Sequence, residues 1–240
     1  MAAGLKYRRV LLKLSGEAFG GEGAFGLQLD AIRAIARQIV AIRKSGVQLA
    51  VVIGGGNIVR GSALRGAGIT PVAGDTMGMI ATVINGVALQ DVLEGLGADT
   101  RLQTAFPMQA VAEPYIRRRC IRHLEKGRVV ILAAGTGSPH FTTDTAAALR
   151  AREIGADVLL KATNVDGVYT DDPNRNPKAK RLSRVTYDQV IHDKLRVMDA
   201  TAITLCREGK LPIVVFNMSA PDAIRRAAAG GRIGTAIGEK

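Results

Sequence analysis

Two hydrophobic periods alternate along this chain, and the alternation limits the possible folds more than any other feature. Val10-Leu11-Leu12-Lys13-Leu14 reads as a strand ending at Ser15-Gly16. Residues 29–45 read as a helix, with Ile32, Ile35, Ile39 and Ile42 as its apolar stripe, Asp30 as cap and Gly46 as stop. Residues 47–53 form a near-continuous apolar run, the pattern of a strand covered on both faces. The pattern then recurs. Helices are predicted over 77–93, 145–152, 199–207 and 222–228, and from Pro114 through the arginines at 117–119. Strands are predicted over 101–105, 129–134, 158–161, 213–216 and 233–237. Such alternation makes a mostly parallel sheet with helices on both faces. No linker or repeat interrupts it, so residues 1–240 are expected to form a single domain, with 171–180 as a long surface loop.

In sheets of this kind ligands bind outside the carboxyl ends of the strands. The segments just after the strands are therefore the informative ones. They read Lys13-Leu14-Ser15-Gly16, Gly54-Gly55-Gly56-Asn57, Gly135-Thr136-Gly137 and Lys161-Ala162-Thr163-Asn164. Lys13 shares a strand face with Leu11, where an ammonium is costly unless it reaches an anion or water. A phosphate contact and a snorkelling lysine both satisfy that condition. Three successive glycines expose N–H groups as an anion-binding hollow, and Arg60 follows. A plain flexible turn has the same letters. The string from Gly135 through Thr136, Gly137, Ser138, Pro139, His140, Phe141, Thr142 and Thr143 to Asp144 joins a buried strand to a helix start. Free N–H groups there favour anions. Asp144 suits the helix dipole, and it could equally orient a lysine or a magnesium-bound water. Lys161 repeats the Lys13 arrangement, giving two mobile positive charges for a transferring phosphoryl group. Asp166 to Asp172, with Tyr169, reads as a base or ribose pocket or as a β-turn with an acidic loop.

Composition narrows the field further. The net charge of +12 favours anionic partners without choosing among them. Aromatics make up 4% with no Trp, so base stacking is not expected to be the main activity. Cys120 and Cys206 lie far apart and read as reduced packing residues. No segment reads as long enough to span a membrane, and the N-terminus lacks a signal-peptide pattern, so a cytoplasmic location is expected. Several motifs are decoys. Gly21-Glu22-Gly23-Ala24-Phe25-Gly26 has the letters of a dinucleotide fingerprint but not its strand-to-helix setting. Gly209-Lys210 is followed by Leu211 and is no Walker A site. Ser138, His140 and Asp144 lack a nucleophile elbow, and His123 and His192 lack metal spacing. The arginines at 117–119 with Arg122 form a basic helix face.

Taken together, these motifs resemble the amino-acid kinase superfamily, and within it the bacterial uridylate (UMP) kinases. The resemblance runs nearly the whole chain. It rests on Lys13 to Glu17, Gly54 to Asn57 with Arg60-Gly61, Gly74 to Met79, Gly135 to Asp144, Lys161 to Gly167 and Val197-Met198-Asp199. It implies a three-layer αβα sandwich around a mostly parallel eight-stranded sheet, and transfer of the ATP γ-phosphoryl group to UMP with magnesium carried on ATP. Lys13, Leu14, Ser15, Gly16, Gly56, Arg60, Thr163, Asn164, Tyr169 and Asp172 would meet ATP. Gly55, Asp75 and the Thr136 to Thr143 run would hold UMP. Lys13, Lys161 and Asp144 would be catalytic, with no resident metal. The family's regulation would add GTP activation through the Gly21 to Gly26 loop, UTP inhibition and a homohexamer, with no membrane or nucleic-acid partner. Two rivals stay open at this stage: a sibling kinase acting on a carboxylate or carbamate, and a basic nucleic-acid-binding protein.

Overall fold

The computed structural model describes residues 6–21, 25–59, 68–171, 176, 178–195 and 197–239. Arg60, Asp172 and the Glu22 to Ala24 part of the predicted GTP loop lie outside the described residues. In chain order, β1 (Arg9–Leu14) leads through the short α1 (Glu17–Gly20) to α2 (Leu29–Lys44) and β2 (Gln48–Ile53). Then come α3 (Pro71–Gly95), β3 (Thr100–Thr104), β4 (Glu113–Pro114), α4 (Arg117–Glu125) and β5 (Val129–Ala133). α5 (Thr143–Ile154) and β6 (Val158–Thr163) follow, then β7 (Val168–Tyr169), β8 (Arg181–Leu182) and β9 (Arg184–Thr186). The chain closes with α6 (Tyr187–His192), α7 (Ala200–Glu208), β10 (Ile213–Asn217), α8 (Ala223–Ala228) and β11 (Thr235–Gly238).

Nine of the described strands form one sheet in the order β4-β3-β5-β2-β1-β6-β10-β11-β9, and β7 pairs with β8 apart from it. Every pairing in the large sheet is parallel except β10 with β11. The sheet thus has one strand more than the expected eight, and the two-residue β4 sits at its edge. Strand parity assigns each apolar side chain to one of two cores. Val10, Leu12 and Leu14 pack with α2, α3 and α8, whereas Leu11 packs with α4, α5, α6 and α7. The predicted stripe of α2 is buried as read. Each such isoleucine contributes roughly 1.5–3 kcal/mol by leaving water.

Local chemistry corrects several boundaries. α2 is preceded by Gln28, and Asp30 lies inside the first turn instead of capping it. α3 begins six residues before the predicted start, because Thr70 accepts from the Ala73 N–H and Pro71 pre-sets the first helical φ. Pro114 opens no helix. It ends β4, and α4 starts at Arg117. α3 also overturns the expectation that nothing reaches membrane-span length: by length and composition alone, this 25-residue helix could cross a membrane. One face of it packs, with Ala81, Thr82, Val83, Asn85, Leu89 and Leu93 buried inside the fold, while Val72, Met77, Ile80, Ile84 and Val87 are exposed.

Candidate active site

Four neighbouring strands, β5-β2-β1-β6, end at the same edge of the sheet. All four run parallel, so the segments that follow them share one rim. Those segments are the four selected from the sequence, and their approach is close. The Gly54 N–H donates to the Leu14 carbonyl at 2.9 Å. A methyl group on Gly16 would lie 2.4 Å from the Gly56 nitrogen and 2.9 Å from the Gly54 oxygen, so only glycine allows the two turns to touch.

Lys13 and Lys161 are register partners on β1 and β6. Both side chains leave the sheet on the face of Leu11 and Leu159, as strand parity predicted for Lys13. Two neighbouring ammoniums in a mostly buried place repel one another, and an anion stands between them. Lys161 Nζ donates to Asp144 Oδ2 at 2.6 Å, and Lys13 Nζ lies 2.9 Å from Asp144 Oδ1. Each Asp144 oxygen thus faces one of the two ammoniums. Lys161 also donates to the Val197 carbonyl. Both ammoniums are therefore ion-paired to Asp144.

These environments set the charges. Burial alone would push the Asp144 carboxyl up. The Lys13 and Lys161 ammoniums, with their hydrogen bonds, outweigh burial and hold it below the usual carboxylate range. Burial pulls Lys161 down, Asp144 opposes that pull, and the Lys13 charge adds to it, leaving the ammonium below the ordinary lysine range. The N-terminus of α5 presents Asp144. Thr142 caps it by accepting from the Asp144 and Thr145 N–H groups at 3.0 and 3.2 Å.

The other predicted residues lie around this centre or apart from it. Asp75 joins the Gly135 to Asp144 string, its Oδ2 accepting from the His140 N–H at 2.8 Å, and His140 has φ +70. The Thr136 and Thr163 hydroxyls are spent locally, on Ser138 and on Val165, whereas Thr142 donates to the distant Asp199. Tyr169 donates to Asp166 at 2.6 Å, in the segment after β6. Gly21, Phe25 and Gly26 of the predicted GTP loop are described, with Phe25 79% exposed. A separate hollow of about 480 Å³, lined by Gln90, Arg101, Gln109 and Glu113 among others, contains none of the predicted site residues. Both cysteines are buried, and burial pushes their thiols up to about 12, consistent with packing roles.

The sequence model of the amino acid kinase family matches residues 8–217. The chain belongs to the amino acid kinase family. A chloroplastic uridylate kinase, PUMPKIN of Arabidopsis thaliana, is 57% identical over 235 residues, covering 98% of this chain and 69% of that protein. A solved UMP kinase from Bacillus anthracis superposes with a TM-score of 0.94 at 40% identity, covering 97% and 96% of the two chains. The Ureaplasma parvum UMP kinase superposes at 0.91 with 34% identity, covering 98% and 100%.

One carboxylate of this amino acid kinase received no role from the sequence. Asp199 Oδ1 accepts from the Thr145 hydroxyl at 2.7 Å and from the Ala202 N–H at 3.0 Å, while Oδ2 accepts from Thr142. It therefore caps α7 and holds the start of α5. An Asp directly before a helical pattern is a cap signal, but nothing local says which second helix it grips.

Proposed function

We propose that this chain is a UMP kinase, transferring the γ-phosphoryl group of ATP to UMP to give UDP and ADP. The observation that carries the proposal is the Lys13–Asp144–Lys161 assembly on a rim of glycine turns, in a chain 57% identical to a uridylate kinase. An acceptor phosphate has a second pKa near ~6 and is mostly dianionic at neutral pH, so it needs no general base. The difficulty is repulsion between two polyanions, and positioning with charge neutralisation overcomes it. Lys13 and Lys161 are assigned to the transferring phosphoryl group, and Asp144 to orienting them. Gly16, Gly56, Thr163, Asn164 and Tyr169 are assigned to ATP, with Leu14 and Ser15. Gly55, Asp75 and the Thr136 to Thr143 run are assigned to UMP.

Among the described residues no group of three or more His, Cys, Asp or Glu side chains is arranged to hold a metal. Asp144 already neutralises two ammoniums. Magnesium is assigned to the ATP substrate. GTP activation, UTP inhibition, a homohexamer, a cytoplasmic location and a single domain over residues 1–240 belong to the same reading. The test is ADP release with UMP, CMP, dUMP, AMP and acetylglutamate as acceptors. UMP is expected to lead the series. Turnover with acetylglutamate and none with UMP would overturn the assignment.

A further inference from the structure

One face of α3 carries polar side chains that the mechanism above does not use. Thr82 and Asn85 are 2% and 0% exposed, in a helix otherwise apolar over that stretch. Each is spent on the backbone of a different rim turn. Thr82 Oγ1 donates to the Met79 carbonyl and accepts from the Ala134 N–H, both at 2.7 Å. Ala134 has φ +62 and Gly135 φ +58, two successive left-handed residues directly after β5. That conformation is unfavourable for alanine, so something must hold it. The turn closes with the Gly137 N–H donating to the Ala134 carbonyl at 3.0 Å, and the Thr136 to Thr143 run follows.

Asn85 serves the other turn. Its Nδ2 donates to the Gly54 carbonyl and to Asn57 Oδ1, both at 2.7 Å. Asn57 Nδ2 returns a bond to Asn85 Oδ1 at 3.0 Å and donates to the Gly26 carbonyl at 2.8 Å. The two amides are thus paired reciprocally, and all four of their donor hydrogens are used. A methyl group on Gly55 would lie 2.6 Å from the Gly78 carbonyl, so this turn also rests directly on α3.

We propose that Thr82 and Asn85 are positioning residues, and that α3 is the template that sets the spacing between the acceptor turn and the phosphate turn. Three residues on a helix advance about 4.5 Å, a stiff and short separation. In-line transfer needs such precision, because a displacement of about 1 Å can cost on the order of 10²-fold in rate. The proposal rests on the assignment of Gly56 to ATP and of Gly55 and the Thr136 to Thr143 run to UMP.

The test compares Thr82→Val, Thr82→Ser and Asn85→Ala with wild type by amide hydrogen exchange, steady-state kinetics and thermal melting. In Thr82→Val, exchange should speed at Gly135 to Gly137 and stay unchanged at Gly54 to Gly56. The UMP KM should rise and kcat fall by roughly tenfold or more, with the ATP KM within twofold. Thr82→Ser keeps the hydroxyl and should return both values to near wild type. Asn85→Ala should give the reverse exchange pattern and raise the KM of ATP as well as that of UMP, because Gly56 and Gly55 share this turn. Thr82→Ala, which cannot overpack, replaces the valine variant if that does not fold. Wild-type kinetics in folded Thr82→Val, or equal loss in Val and Ser variants alongside a lower Tm, would overturn the proposal. Absence of UMP turnover in the wild type would count against the functional assignment instead, and the exchange pattern would still decide whether α3 holds the two turns.

Discussion

A single carboxylate decides the electrostatics of the rim. Asp144 sits between two ammoniums that would otherwise repel across adjacent strands. Its folded-state pKa is depressed, so its contribution to stability is present above the unfolded value of about 3.9 and is lost as pH falls through the lower folded value. Asp144→Asn should abolish that acid segment of the stability curve, read by urea melts across pH. It should also cost about 3–5 kcal/mol at neutral pH, as expected when one partner of a buried ion group is removed. Lys161 has a lowered pKa too, which for a lysine disfavours the charged form. Its depressed pKa means the folded chain loses this charge, as pH rises, before a free lysine would. The alkaline limb of kcat should therefore begin below the ordinary lysine range, about 10.4. Lys161→Arg keeps its charge at any accessible pH, so its limb should move upward in a normalised profile. An unmoved limb would clear Lys161 of setting it. Lys13→Ala should lower kcat by roughly 10²–10³ while UMP binding changes little, measured by steady-state kinetics and calorimetry. Near-wild-type turnover would remove Lys13 from the chemistry.

Elements meet at this rim through glycine, and the glycines are not equivalent. A methyl group on Gly55 would press on the Gly78 carbonyl at 2.6 Å and on the Ala81 methyl at 2.8 Å, whereas one on Gly78 meets nothing within 4 Å. Gly55→Ala should thus cost about 1–3 kcal/mol by overpacking, a Tm drop of roughly 2–12 °C for a chain of this size. Gly78→Ala lies in a helix interior and should raise stability by up to about 1 kcal/mol. Thermal melts of the two variants separate close approach from mere helix propensity. Elements of periodic sequence were read well: the stripe of α2 and the apolar runs of β2 and β5 have only one low-energy placement. Short elements escaped. β4, β7, β8 and β9 have two or three residues each, and pairing with a neighbour, not local period, makes them strands.

At the scale of the whole molecule, α3 has two characters. Its inner face grips the rim turns, and its outer face leaves Met77, Ile80, Ile84 and Val87 exposed. If copies assemble through that outer face, Ile84→Glu should reduce the mass seen by light scattering while the helix stays folded. An unchanged mass would place the contact elsewhere. Strand parity, apolar runs and turn residues were enough, from the sequence alone, to name the layers, the strand ends and the lysines, because those signals depend on neighbours in the chain. Parity put Lys13 with Leu11, and the strand-end rule selected four segments. What the tertiary structure decided was the order β5-β2-β1-β6, which makes the four segments neighbours. It also decided that Asp144 lies between lysines from two strands, and that Asp199 and Thr82 bind partners 54 and 52 residues away. Such contacts follow from how packed layers satisfy buried charge and backbone groups, and no local window of sequence contains both partners.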